Sequence, residues 1–169
     1  MRRFEIGFGC FLVVLCLCGG SARAGDISGT ITSTLTITES SKLVDDVICT
    51  VSGAPCLAFG ASGLTLDLNG FSMTGLGDPQ TGCGGSATGN EYGISVSGFN
   101  NVVIRGPGVV QRFRNQGIFL SNTTGSTVTA VTMSTNCASG IIVVGGSGHL
   151  LDGNVSVRNG NAASPCGGI

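Results

Sequence analysis

The stretch Gly117-Ile118-Phe119-Leu120 decides the fold, because the pattern that it begins recurs along the chain. A Gly-Ile pair also opens residues 93–96 and residues 140–143 and closes the chain at residues 168–169, at spacings of 24, 23 and 28 residues. After the first three pairs, apolar residues alternate with others as in a β-strand. Two more apolar sets follow within each repeat, separated by Gly, Asn, Ser and Thr. The sequence therefore predicts three short strands per repeat.

Repeats of this kind fit a solenoid with three strand faces whose turns stack in parallel. No segment shows a 3.6-residue period over ten positions, which excludes a helical repeat, and the Leu/Asn ladder of leucine-rich repeats is absent from the sequence. Inward apolar residues of successive turns should lie about 4.8 Å apart. We predict one such column from Ile94, Ile118, Ile141 and Ile169, each preceded by Gly because a corner needs a permissive backbone. Asn at repeated turns should form stacked hydrogen-bonding corners.

Composition supports this class and disfavours others. The 169 residues include 8 basic and 9 acidic side chains, a formal charge of −1, which argues against a nucleic-acid binder. Glycine occurs 30 times, yet 41% of the residues are hydrophobic, so disorder is a poor explanation. The composition is typical of many short strands joined by tight turns.

Residues 1–24 have the features of a secretory signal peptide. Two arginines precede an apolar run over residues 6–18, and Ala22-Arg23-Ala24 fits a cleavage signal, so we expect cleavage between Ala24 and Gly25. The run is shorter than the span of about 20 residues that a membrane helix needs, and no later stretch approaches that length. The sequence predicts a secreted, periplasmic or cell-surface protein without a transmembrane segment once the signal is removed.

Two further stretches carry a resemblance to a known family. Leu64-Thr65-Leu66-Asp67-Leu68-Asn69-Gly70 and Asn101-Val102-Val103-Ile104-Arg105-Gly106 resemble segments of the right-handed parallel β-helix family, the pectin-lyase-like architecture, and in particular of secreted bacterial β-helix proteins. The resemblance implies an all-β, right-handed parallel β-helix solenoid over residues 63–169. Residues 25–62 lack the Gly-Ile mark and are predicted to form an N-terminal β cap. The repeat array is expected to be incomplete, truncated at the C-terminus.

Five cysteines follow the predicted cleavage site, and export permits disulfide bonds. Cys49 and Cys56 flank a short loop and are predicted to pair. Cys137 and Cys166 each precede a Gly-Ile pair, so one solenoid turn would bring them within disulfide distance. Cys83 would then compete for Cys137 or pair with a cysteine beyond residue 169.

The sequence offers no catalytic set. Polysaccharide hydrolases need two carboxylates a few ångströms apart, and no two acids fall at one position of neighbouring turns. Lyases of the resembled family imply Asp ligands for calcium and a basic residue, but residues 105–112 have the wrong spacing for that pattern and lack its Asp-His partner. No Cys pair after the signal has C-x-x-C spacing, and His149 is the only histidine. We therefore predict no catalytic residue, no metal site and no cofactor.

One outward cluster is a candidate for contact with a glycan. If Ile104 and Leu151 share a column, Arg105 and Asp152 lie outward two turns apart, about 9.6 Å. Other arginines should lie further along the same side. The alternative is an ordinary solvated face. The candidate contacts to an anionic sugar are Arg105, Arg112, Arg114, Asp152 and Arg158.

Three functions remain open from the sequence. The first is a secreted, non-catalytic β-helix module with a structural or carbohydrate-binding role, its partner a polysaccharide or cell-surface glycan. The alternative is the N-terminal part of a polysaccharide lyase or glycoside hydrolase whose site lies beyond residue 169. A third possibility, a copper-delivery role, would need further His or Met residues beyond residue 169. Aromatic platforms for sugars are scarce. Tyr92 is the only Tyr or Trp, and Phe99, Phe113 and Phe119 are expected to fill corners or the core.

Overall fold

A computed structural model describes residues 25–83, 89–160 and 168, so the predicted signal peptide, Cys166 and Ile169 lie outside the described residues. The described residues are all β, with thirteen strands and no helix, and hence no helix that could cross a membrane. The predicted all-β class is confirmed. The strands are β1 (Gly25–Ile31), β2 (Leu35–Ile37), β3 (Ser41–Cys49), β4 (Leu57–Phe59), β5 (Thr65–Asp67), β6 (Ser72–Thr74), β7 (Ile94–Ser97), β8 (Val103–Gln111), β9 (Ile118–Thr124), β10 (Thr127–Ser134), β11 (Ile141–Ser147), β12 (Leu150–Asp152) and β13 (Val155–Val157).

The strands form two parallel sheets. The first has the order β1-β3-β5-β8-β10-β12, with β6 beside β3 and β8, and with β13 beside β10. The second has the order β2-β4-β7-β9-β11. Residues 25–62, the predicted cap, contribute β1 to β4 to these same sheets. Each sheet therefore grows by one strand position as the chain advances by about one repeat.

The Gly-Ile column appears in the second sheet. Ile118 pairs with Ile94 on one side and with Ile141 on the other, and all three side chains are fully buried. The predicted reason for the preceding glycines is wrong, because these glycines do not have positive φ angles. A Cβ on Gly117 would lie 2.7 Å from the carbonyl oxygen of Gly140. Glycine is needed there because the stacked backbones approach too closely for any side chain.

The long strands β8 and β10 bend and so contribute to two faces. The first part of β8 pairs with β5 and its last part with β6, and β10 pairs in the same way with β12 and then β13. The register between β8 and β10 shifts at Ala130 of β10, between Thr129 and Val131, and Ala130 has a φ of 55°. Gly106-Pro107-Gly108, predicted as a corner between two strands, lies at this bend inside β8.

Stacked asparagines hold the corner after β10. Asn136 is fully buried, and its Oδ1 accepts a hydrogen bond from the N–H of Phe113 at 3.0 Å while its Nδ2 donates to the carbonyl of Val110 at 3.1 Å. Asn159 repeats this arrangement on Asn136 itself and on Met133, both at 2.9 Å. Because these amides satisfy backbone groups inside the fold, the predicted asparagine corner is confirmed.

Two disulfide bonds tie loops to this framework. The first joins Cys49 at the end of β3 to Cys56 just before β4, with 6.0 Å between the Cα atoms. The second joins Cys83 to Cys137, with 5.7 Å between the Cα atoms. This second bond replaces the predicted pair of Cys137 with Cys166. The physical reason is that the loop after β6 folds back onto the corner after β10, bringing Gly77 against the Cys137 sulfur.

Candidate functional site

One outward column of the first sheet carries charges that alternate in sign. Nε of Arg105 donates a hydrogen bond to Oδ2 of Asp67 at 2.8 Å, and Nη2 of Arg105 forms an ion pair with the same oxygen at 2.7 Å. On the two preceding strands of the column, Nζ of Lys42 lies 3.7 Å from Oδ1 of Asp26. The column therefore neutralises much of its own charge. In strand order it contains Asp26, Lys42, Asp67, Arg105, Thr129 and Asp152.

Arg105 and Asp152 lie in one outward column, two strands apart, as the repeat spacing predicted. Arg105 lies opposite Thr129, and Thr129 lies opposite Asp152, which places the two charged residues two strands apart. The guanidinium of Arg105, however, is held by Asp67 on the other side. Asp152 is exposed and makes no ion pair with another described residue. The two side chains do not form an acid–base pair.

Arg112 and Arg158 lie at a different place, the corner that follows β8 and β13. They occupy equivalent positions, both with left-handed backbone, at φ of 58° and 54°. Nη2 of Arg112 lies 3.8 Å from Oδ2 of Asp78, and its Nε donates to the Gly77 carbonyl at 3.2 Å. The N–H of Gln80 lowers the pKa of Asp78, and Arg112 adds to that effect. Arg158 is exposed and has no ion pair with the described residues.

Arg114 is a structural residue. Its Nε contacts Oε2 of Glu91, whose side chain is only 4% exposed. Oε1 of Glu91 accepts hydrogen bonds from the N–H of Gly53 at 2.7 Å and from the Ser52 hydroxyl at 3.1 Å. This pair ties the loop after β3 to the segments before β7 and after β8. The five predicted glycan contacts thus fall in three separate places, because β8 bends between Arg105 and Arg112 and Arg114 turns inward.

The outward face of the second sheet carries an aromatic pair that sequence reasoning missed. The rings of Tyr92 and Phe119 stack, with centroids 4.3 Å apart and planes 9° from parallel. Phe119 lies between the buried Ile118 and Leu120 on β9, so its ring projects outward and is half-buried. The prediction that Phe119 fills the core or a corner is therefore wrong. Phe113, by contrast, is buried in the core as predicted.

The stack borders an open groove of about 400 Å³, called here the Tyr92 groove. One wall comes from the loop between β3 and β4, and the other from β7, the residues just before it, and β9. All the described lining residues are uncharged, and two of them, Ser95 and Ser97, make no side-chain hydrogen bond with any described residue. Burial raises the pKa of the Tyr92 hydroxyl. The groove is lined by Gly53, Ala54, Pro55, Asn90, Tyr92, Ser95, Ser97 and Phe119.

A signal for this groove is present in the sequence. Ser95 pairs with Phe119, and both occupy the outward position directly after the Ile of a Gly-Ile pair. Reading the outward residues of the repeat as a column, in the way that the inward residues were read, would have placed Phe119 on the surface. Tyr92 immediately precedes the Gly-Ile pair at residues 93–94, which brings it to the same edge.

The comparisons with known proteins add no assignment. No family model, no curated protein and no solved structure matches the chain. In the part of the chain that the structure describes, no group of three or more His, Cys, Asp or Glu side chains is placed to hold a metal ion.

Proposed function

We propose that this protein is a right-handed parallel β-helix of the pectin-lyase-like type that serves as a non-catalytic extracellular module, structural or carbohydrate-binding. The parallel pairing of successive repeats supports the β-helix. Handedness follows from a general rule, since parallel strand–crossover–strand connections in one sheet are right-handed in about 98% of cases. The two disulfide bonds are in keeping with an oxidising compartment outside the cytoplasm.

The observation that carries the non-catalytic proposal is that most carboxylates after residue 62 are paired with arginines. Of the four acids after residue 62, Asp67, Asp78 and Glu91 each form an ion pair with an arginine. Asp152 is the remaining one, and it lies two strands from Arg105 rather than beside a second acid. Hydrolysis of a glycosidic bond needs two carboxylates that face one sugar from a few ångströms away. None of these four acids lies beside a second acid in the paired positions of the sheet.

An activity assay tests this proposal directly. The purified protein is incubated with polygalacturonate, alginate and neutral glycans, with and without calcium, while reducing ends and unsaturated products are followed. We expect no turnover with any of these polymers. Turnover that disappears in Asp152→Asn or Asp67→Asn, and persists in the matched surface variant Asp45→Asn, would contradict the proposal and identify an active site on the first sheet.

A further inference from the structure

We propose that the Tyr92 groove binds a sugar residue of an uncharged glycan. This inference rests on the carbohydrate-binding form of the proposed function and assigns it to the second sheet. It moves the site away from the arginines that the sequence suggested. Four properties of the groove support it, namely its aromatic surface, its free hydroxyl groups, its lack of charge and its pinned walls.

The aromatic stack contributes apolar surface to the groove: stacking covers one face of each ring, so the opposite faces and the ring edges remain for a ligand. Pyranose rings expose a face of C–H groups, and such groups pack favourably on the electron-rich face of an aromatic ring. Because Tyr92 and Phe119 lie parallel with centroids 4.3 Å apart, each ring limits the movement of the other. The surface is therefore formed before a ligand arrives.

Hydroxyl groups surround this surface. The side chains of Ser95 and Ser97 each offer a donor and two acceptor lone pairs, and the Asn90 amide offers both kinds of group. Neither serine hydroxyl makes a hydrogen bond with another described residue; Ser97 is exposed and accessible to a ligand, whereas Ser95 is 8% exposed and lies at the base of the groove. Sugar hydroxyls are donors and acceptors as well. An apolar plate edged by such groups matches the two-sided chemistry of a sugar.

The charge of the groove selects among sugars. All of its described lining residues are uncharged, and the nearby Arg114 is neutralised by Glu91. A uronic acid would leave its water shell there without gaining a cationic partner, which costs free energy. A neutral sugar has no such cost. The volume of about 400 Å³ is within the usual range for small-ligand sites.

The walls of the groove are held by bonds that do not involve its lining side chains. The N–H of Gly53 donates to Glu91 at 2.7 Å, and the Pro55 carbonyl accepts from the Thr34 hydroxyl at 2.7 Å. The Tyr92 carbonyl accepts from the N–H of Cys56 at 2.9 Å. A site held in this way loses little conformational entropy when it binds, which favours affinity.

Binding is tested by calorimetry and by NMR titration of the full-length purified protein. The probes are cello-, manno- and xylo-oligosaccharides, with oligogalacturonate as the anionic comparison. We expect at least one neutral probe to bind, with an affinity that does not change between low and high salt, because no ion pair is involved. We expect oligogalacturonate to bind more weakly or not at all.

Variants locate the site. Phe119→Leu keeps an apolar side chain of similar size but removes the ring, and should weaken binding by about tenfold or more, as truncation of an aromatic anchor commonly does. Ser97→Ala should weaken it less, and Tyr92→Phe should retain most of it. Arg158→Ala, at the exposed corner, is the matched control and should leave binding unchanged. Far-ultraviolet circular dichroism checks that each variant folds.

The possible results separate this inference from the proposed function. Failure of every neutral probe to bind, or binding that survives Phe119→Leu, would overturn the inference while leaving the absence of turnover in force. Preference for the anionic probe, with loss of binding in Arg158→Ala, would also overturn it. Turnover of a glycan would overturn the proposed non-catalytic role whether or not the groove binds sugar.

Discussion

Replacing Asn136 with alanine removes the most deeply buried of the described asparagine side chains at the corners. The side chain makes three hydrogen bonds, with the N–H of Phe113, the carbonyl of Val110 and Oδ1 of Asn159, at 3.0 to 3.1 Å. A buried N–H left without a partner costs about 1–3 kcal/mol, and each of the other two bonds contributes about 0.5–1.5 kcal/mol. The expected loss in the free energy of unfolding is therefore about 2–6 kcal/mol. Domains of this kind have about 5–15 kcal/mol in total, so the loss is a large fraction.

Urea unfolding, followed by far-ultraviolet circular dichroism with the disulfide bonds intact, measures this loss. Asn154→Ala is the matched control, because Asn154 makes the same two backbone bonds, with Val131 and Val128, but is only half-buried. It should cost less than Asn136→Ala. A loss for Asn136→Ala below about 1 kcal/mol, the ordinary value of one exposed bond, would refute the reasoning. So would a larger loss for Asn154→Ala.

Three further predictions concern stability. Thr123→Val removes a fully buried hydroxyl that has no hydrogen-bond partner, so the free energy of unfolding should rise by about 1 kcal/mol. A lower urea midpoint in Thr123→Val than in the natural protein would contradict this. Hydrogen bonds from Ser72 hold the pKa of Asp46 below its usual 3.8. The ionised carboxylate therefore stabilises the fold above pH 3.8, and this contribution is lost as the pH falls below that value. Asp46→Asn should be less stable than the natural protein at pH 6, and the difference should shrink in unfolding curves recorded at acid pH. Cys83→Ser opens a disulfide bond between residues 54 positions apart and should cost about 4 kcal/mol, while non-reducing peptide maps of the natural protein should link Cys83 to Cys137; another partner for Cys137 would contradict this.

The inward side of the fold could be predicted from the sequence because it is periodic. Ile94, Ile118 and Ile141 recur at 24 and 23 residues, and each takes the place above the last with no other information needed. The disulfide of Cys137 could not be predicted in that way. Its partner Cys83 lies in the long Gly-rich loop between β6 and β7, where no repeat constrains the backbone, and a loop that folds back across one corner leaves no periodic trace.

The same loop is the reason why the ion pair between Arg105 and Asp67 could not be predicted from the repeat spacing. Asp67 and Arg105 occupy neighbouring positions in one column but are 38 residues apart in the chain, because the Gly-rich loop lengthens that repeat. A search at the regular spacing of 23 or 24 residues pairs Arg105 with Thr129 and misses Asp67. The sequence therefore predicted an uncompensated arginine where the structure has a salt bridge.

The two outward faces differ in the groups that they offer to a ligand. On the first sheet, the paired charges of Arg105 and Asp67 already satisfy each other, and a ligand would have to break a bond to use either one. On the second sheet, the exposed hydroxyl of Ser97 has no hydrogen-bond partner among the described residues and lies beside a preformed aromatic pair, so a ligand there has no ion pair to break. Binding energy is gained where groups are preorganised and unsatisfied, and the second sheet meets both conditions. We therefore expect a neutral ligand to bind beside Phe119 on the second sheet more tightly than an anionic ligand binds to the arginines.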